Sequence, residues 1–120
     1  DICEIRMRIL FNDTVVEPIM AYTIKDIKGF DITGTNTWFQ NVPADTYYRG
    51  DLIEVIFRQV FLLNAGSYLI SFGCAGHEGG KYVVYDRRYD YMGFDVVSET
   101  RSVGFFDLES EITVRKITNE

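Results

Sequence analysis

From Cys3 the apolar residues Cys3, Ile5, Met7, Ile9 and Phe11 fall on every second position, with Glu4, Arg6 and Arg8 between them. A period of two places alternate side chains on opposite faces of an extended chain, so this segment is a strand with one buried face. The same alternation returns in "DLIEVIFRQVF", where Ile53, Val55 and Phe57 oppose Glu54 and Arg58, and in "SYLISFGCA", where Tyr68, Ile70 and Phe72 share a face. These two are expected to be the central strands. Nowhere do apolar residues recur at i, i+3, i+4 and i+7 over a helical window, so the expected class is all-β.

Turn signals set the number of strands. Asn12-Asp13-Thr14 ends the first strand; Pro18 marks an edge or a strand start before "IMAYTIKDIK", which runs to a turn at Gly29. "FDITGTNT" follows, its Gly34 marking a bulge or a close backbone approach. Trp38 to Gly50 has no periodicity and is read as the longest loop. After the glycine-rich "GHEGG" come "KYVVY", "GFDVV" and the terminal "SEITVRKI". About eight short strands suit a two-sheet sandwich. "LLNAGSY" carries the L-x-x-G-x-Y pattern of a tyrosine corner, which assigns Tyr68 and makes a Greek-key, immunoglobulin-like β-sandwich the expected architecture.

Size and charge narrow the functions. A chain of 120 residues is one domain with one core, so residues 1–120 are expected to form a single unit. Twelve Lys and Arg against 18 Asp and Glu give a net charge of -6, which repels phosphate backbones and excludes nucleic acid as a first choice. No apolar run reaches the roughly 20 residues of a membrane helix. The chain opens in mid-strand without an initiator Met, as a fragment of a longer protein would. Cys3 and Cys74 are far apart in sequence and are expected to be two free thiols.

Catalytic and metal motifs are weak. "CAGHEGGKY" has Ala75 and Tyr82 where a phosphate-binding loop needs Gly and Ser or Thr. His77, the one histidine, is expected to be an ordinary loop residue, and no D-x-D-x-D-G calcium run is present. No metal and no cofactor are expected. Glycoside hydrolysis could use two carboxylates, but among Asp86, Asp90, Asp95, Glu54 and Glu78 nothing singles out a pair.

The aromatic and polar residues instead fit sugar recognition, which joins a flat apolar platform to hydrogen-bonding partners for hydroxyls. Asn36, Trp38, Tyr47 and Tyr48 lie in or beside the long loop, and Tyr85, Arg87 and Arg88 form a second cluster. These seven are the candidate carbohydrate-binding residues, although eight tyrosines in a small sandwich mostly fill the core.

The ordered segments "FDITGTNT", "YRGDLIEVIF", "LLNAGSYLISFG", "YDRRYDYMGFDV" and "GFFDLESEITV" resemble the C-terminal carbohydrate-binding domain of Wzt-type ATPase subunits. Those subunits belong to polysaccharide-exporting ABC transporters, and the resemblance runs from Pro18 to Val114. It implies a non-catalytic sandwich on the C-terminal side of a nucleotide-binding domain, at the cytoplasmic face of the membrane beside a permease. Such domains bind the end of a finished O-antigen-like polysaccharide and select it for export. It also implies a homodimer in which a C-terminal strand, here around Glu111 to Lys116, can be exchanged. The alternative is a protein-interaction or adhesin-type sandwich that pairs through an edge strand.

Overall fold

The computed structural model describes residues 2–98 and 102–117. Eight strands are formed and, among the described residues, no helix: β1 (Ile2–Leu10), β2 (Val15–Val16), β3 (Ile19–Asp26), β4 (Asp31–Asn36), β5 (Thr46–Tyr47), β6 (Leu52–Val60), β7 (Gly66–Glu78) and β8 (Lys81–Val96). All pairing among them is antiparallel, with a four-stranded sheet in the order β4-β3-β7-β8, a two-stranded sheet β1-β6 and a small pair β2-β5.

The period-two residues do what their spacing requires. In β1 and β6 the half-buried positions are Cys3, Ile5, Met7, Ile9 and Ile53, Val55, Phe57, Gln59, with Ile5 opposite Phe57 and Met7 opposite Val55. The four-stranded sheet answers with Tyr22, Ile24, Tyr68 and Ile70, each under 8% exposed, and Ile5, Phe57, Phe72 and Phe94 pack against them. This is a sandwich whose two faces close one apolar core.

Two local devices hold its ends. The Tyr68 hydroxyl donates to the Asn64 carbonyl, the tyrosine corner that "LLNAGSY" predicts. The Asn64 side-chain amide in turn donates to the Ser102 and Gly104 carbonyls at 2.6 and 3.0 Å, and Leu63 bridges Phe106, so the chain after β8 is stitched back to the start of β7. Gly34 is a close backbone approach, since a Cβ there would sit 2.6 Å from the Tyr22 carbonyl oxygen. Cys3 and Cys74 are free thiols.

Three strand expectations need correction. β6 is not central, because among the described residues only β1 pairs with it. "KYVVY" and "GFDVV" are not separate strands but the two ends of the 16-residue β8, kept in one hairpin with β7 by bulges rather than by a break. Residues 110–117 are not a strand: alternation alone cannot make one without a partner, and Ile112, Val114 and Ile117 stand 85–91% exposed. The long loop is interrupted by β5, where Tyr47 pairs with Val15.

Candidate glycan-binding groove

The outer face of the four-stranded sheet carries a groove, and its floor is made by small residues. On β3, Tyr22 and Ile24 turn into the core, which leaves Ala21 and Thr23 facing out. On β7 the outward positions are Ser71, Gly73 and Ala75. Little side chain rises from the middle of the sheet, so longer residues at the margins become walls around an open cleft of about 420 Å³.

One wall is aromatic. Asn36, the last residue of β4, accepts the Phe39 amide on its Oδ1 at 2.7 Å and so bends the following turn, which projects Trp38 beside the sheet. The Trp38 ring meets His77 edge to face at 5.2 Å, and His77 meets Tyr82 at 5.9 Å. His77, one residue before the end of β7, lies opposite Tyr82 in register, so the strand pairing brings the two together.

The other wall comes from β8 and depends on its bulges. The register slips between Cys74 and Ala75, because Ala75 faces Val84 while Cys74 faces Asp86. The extra residue shifts the phase of the alternation, so Tyr82 and Val84 before the bulge and Arg87 and Tyr89 after it all line the groove. A second slip opposite Ser71 leaves Asp90 at φ 46°, with its amide donating to the Ser71 hydroxyl at 2.9 Å. Tyr89 is held there between cations: Lys25 Nζ lies 5.4 Å and the Arg87 guanidinium carbon 5.6 Å from its ring centroid. Arg87 also donates to the Tyr89 hydroxyl at 2.9 Å, and that bond, with a smaller contribution from Tyr82, raises its already high pKa.

Asn36, Trp38 and Arg87 are therefore brought to one groove, and the other four candidates are not. Tyr47 stacks on Phe11 at 4.9 Å and 10°, a structural packing pair. Tyr48 lies at the turn around Gly50, where its amide donates to Asp51 at 2.8 Å. Tyr85 turns to the opposite face and packs over Gly76, whose added Cβ would meet its ring at 3.0 Å. Arg88 lines a different cleft with Arg6 and Arg8, and its Nε is 3.2 Å from Asp86. Lys25, Asp31, Tyr82 and Tyr89 also line the groove, with His77 against Trp38 and Tyr82 beside it, and none of these is among the seven candidates. Tyr89 lies in the quoted segment "YDRRYDYMGFDV", two residues after Arg87, and the signal for Tyr82 is its place across the hairpin from His77.

Aromatic faces, hydroxyls and a guanidinium around a shallow, small-residue floor offer apolar contact and many directed hydrogen bonds to a flat polar ligand. Among the described residues no three His, Cys, Asp or Glu side chains converge to hold a metal ion.

A family model described as the Wzt C-terminal domain matches residues 1–108. The chain belongs to the Wzt C-terminal domain family. A solved structure titled "Crystal structure of the C-terminal domain of wzt" superposes on this Wzt C-terminal domain with a TM-score of 0.83 and 28% identity, covering 93% of this chain and 69% of that one. No curated protein sequence matches. The family is associated with polysaccharide transporters, and the all-β sandwich described above is its fold. No helix among the described residues of this Wzt domain is long and apolar enough to cross a membrane.

Proposed function

We propose that this domain is a non-catalytic recognition module that binds an O-antigen-like cell-surface polysaccharide, at or near its end, and commits it to export by an ABC transporter. The supporting observation is the groove itself: Ala21, Gly73 and Ala75 keep the floor low while Trp38, Tyr82, Arg87 and Tyr89 stand around it. Membership of the Wzt family supplies the transporter context. In the intact protein the domain follows a nucleotide-binding domain at the cytoplasmic face, beside a membrane permease, and hydrolysis of ATP belongs to that other domain.

The working unit in this reading is a homodimer. Among the described residues nothing pairs with either outer edge of β1-β6 or with segment 110–117, which presents Ile112 and Val114. A partner's copy of that segment would cover an edge that otherwise invites uncontrolled pairing. Two sites per dimer raise the apparent affinity for a repeating polymer through effective concentration. The same open edges favour the second reading, a protein-interaction module paired through a strand.

Calorimetric titration of the domain with the source organism's surface polysaccharide tests the first reading. Saturable binding that Trp38→Ala weakens supports it; no heat with that polymer, together with strand-mediated capture of a protein, would favour the second. Light scattering tests the dimer, and a strict monomer at high concentration counts against it.

A further inference from the structure

Of the four charged residues that line the groove, Lys25 and Asp86 have ion-pair partners within 4.0 Å among the described residues, and Asp31 and Arg87 have none. Asp86 is held by Arg88 at 3.2 Å, and Lys25 is 3.8 Å from Asp90. Asp31 lies at the far end, beside Lys25 in the β3-β4 register. Arg87, between these, makes no ion pair within 4.0 Å among the described residues. Its hydrogen bonds go to neutral phenols, chiefly to that of Tyr89 at 2.9 Å and more weakly to that of Tyr82.

A guanidinium has five N–H donors in a planar fork, and its orientation here is fixed by Tyr89 on a β-strand rather than left to a free side chain. The donors not used on Tyr89 and Tyr82 remain to take oxygens of an anionic group. In a chain of net charge -6 the surroundings repel anions in general, so an unpaired, pre-oriented arginine in the groove selects for a specific acidic group rather than for any polyanion. Trp38 and Tyr82 on the aromatic side would hold the sugar ring that carries it.

We propose that Arg87 docks an anionic substituent of the glycan, a sugar-borne carboxylate or phosphate, and that the groove therefore distinguishes an acidic polysaccharide from its neutral counterpart. This rests on the glycan reading above. It adds the substrate class and names the residue that sets it.

The test compares three forms of the source organism's surface polysaccharide by calorimetry: untreated, carboxyl-reduced, and dephosphorylated with hydrogen fluoride. One treatment is expected to lower the affinity of the wild-type domain by at least about tenfold, and its identity tells carboxylate from phosphate. Arg87→Gln is expected to bind the untreated polymer as weakly as the wild type binds the treated one, and to lose nothing further on treatment. Arg87→Lys, which keeps the charge without the fork, is expected to recover part of the affinity. Wild-type affinity that survives both treatments, or untreated polymer bound equally by Arg87→Gln, overturns the assignment. If Trp38→Ala then still loses binding, the groove reading stands and only the anion falls; a wild-type domain that binds none of the three polymers overturns both.

Discussion

The indole of Trp38 meets the imidazole of His77 edge to face, with centroids 5.2 Å apart and planes at 83°. Trp38 comes from the turn after β4 and His77 from the end of β7, so the contact ties a loop to the sheet and leaves the indole 60% exposed beside the groove. An exposed indole fixed at its edge is a platform with little ordering left to lose on binding.

Trp38→Ala should therefore weaken glycan binding roughly three- to tenfold, the worth of one aromatic stacking contact. Stability should change by less than about 0.5 kcal/mol, because little of the ring is buried. Arg88→Ala serves as the matched control: Arg88 faces the cleft on the Arg6 side, and binding should stay within about twofold of wild type. Titrations of both variants, with urea melts alongside, check the pair.

Tyr68→Phe removes the tyrosine-corner hydroxyl and leaves the buried Asn64 carbonyl without that donor. The expected loss is about 1–3 kcal/mol, read as a lower urea midpoint at unchanged m-value.

Gly34→Ala forces a methyl to within 2.6 Å of the Tyr22 carbonyl oxygen, a backbone atom that cannot swing aside. Strand β4 must shift away from β3, at a cost of about 1–3 kcal/mol. Because Asn36 and Trp38 follow directly on β4, glycan affinity should drop as well. A variant as stable as wild type would contradict the register of the β3-β4 pair.

Burial, and after it the neighbouring Asp86 carboxylate, pushes the Cys74 thiol up to about 11 from 9.0. The folded state thus holds a proton that the unfolded chain releases earlier. This contribution to stability is complete below pH 9 and is lost as pH rises toward 11. Urea melts of wild type and Cys74→Ala across that window should show a steeper fall for the wild type; parallel curves would contradict the assignment. Cys74 should also resist alkylation in the native state near pH 8.

Much of the scaffold was legible because each signal was local. Ile5 and Met7 alternate with Arg6 and Arg8, and the buried face follows; Gly66 and Tyr68 fix the corner within a few residues. The groove was harder to read. Its floor is Ala21, Gly73 and Ala75, whose importance lies in what they lack, and small residues carry no pattern of their own. Its second wall depends on bulges in β8, which reverse the phase of the alternation and send Arg87 to the groove and Arg88 away from it. Adjacent arginines look interchangeable until that register is known. The segment around Ile112 and Val114 has a strand's alternation but no partner among the described residues, and pairing is a property of two segments rather than one.

The central claim is that the outer face of the four-stranded sheet holds the polysaccharide. Backbone amide NMR during titration with the source organism's polysaccharide tests it most directly. Concentration-dependent shifts confined to residues 21–25, 36–39, 71–77 and 82–89 are predicted, and smaller ones in Trp38→Ala at the same sub-saturating ligand concentration. Shifts that map instead to the β1-β6 face, or a spectrum unmoved by saturating polymer, would contradict it.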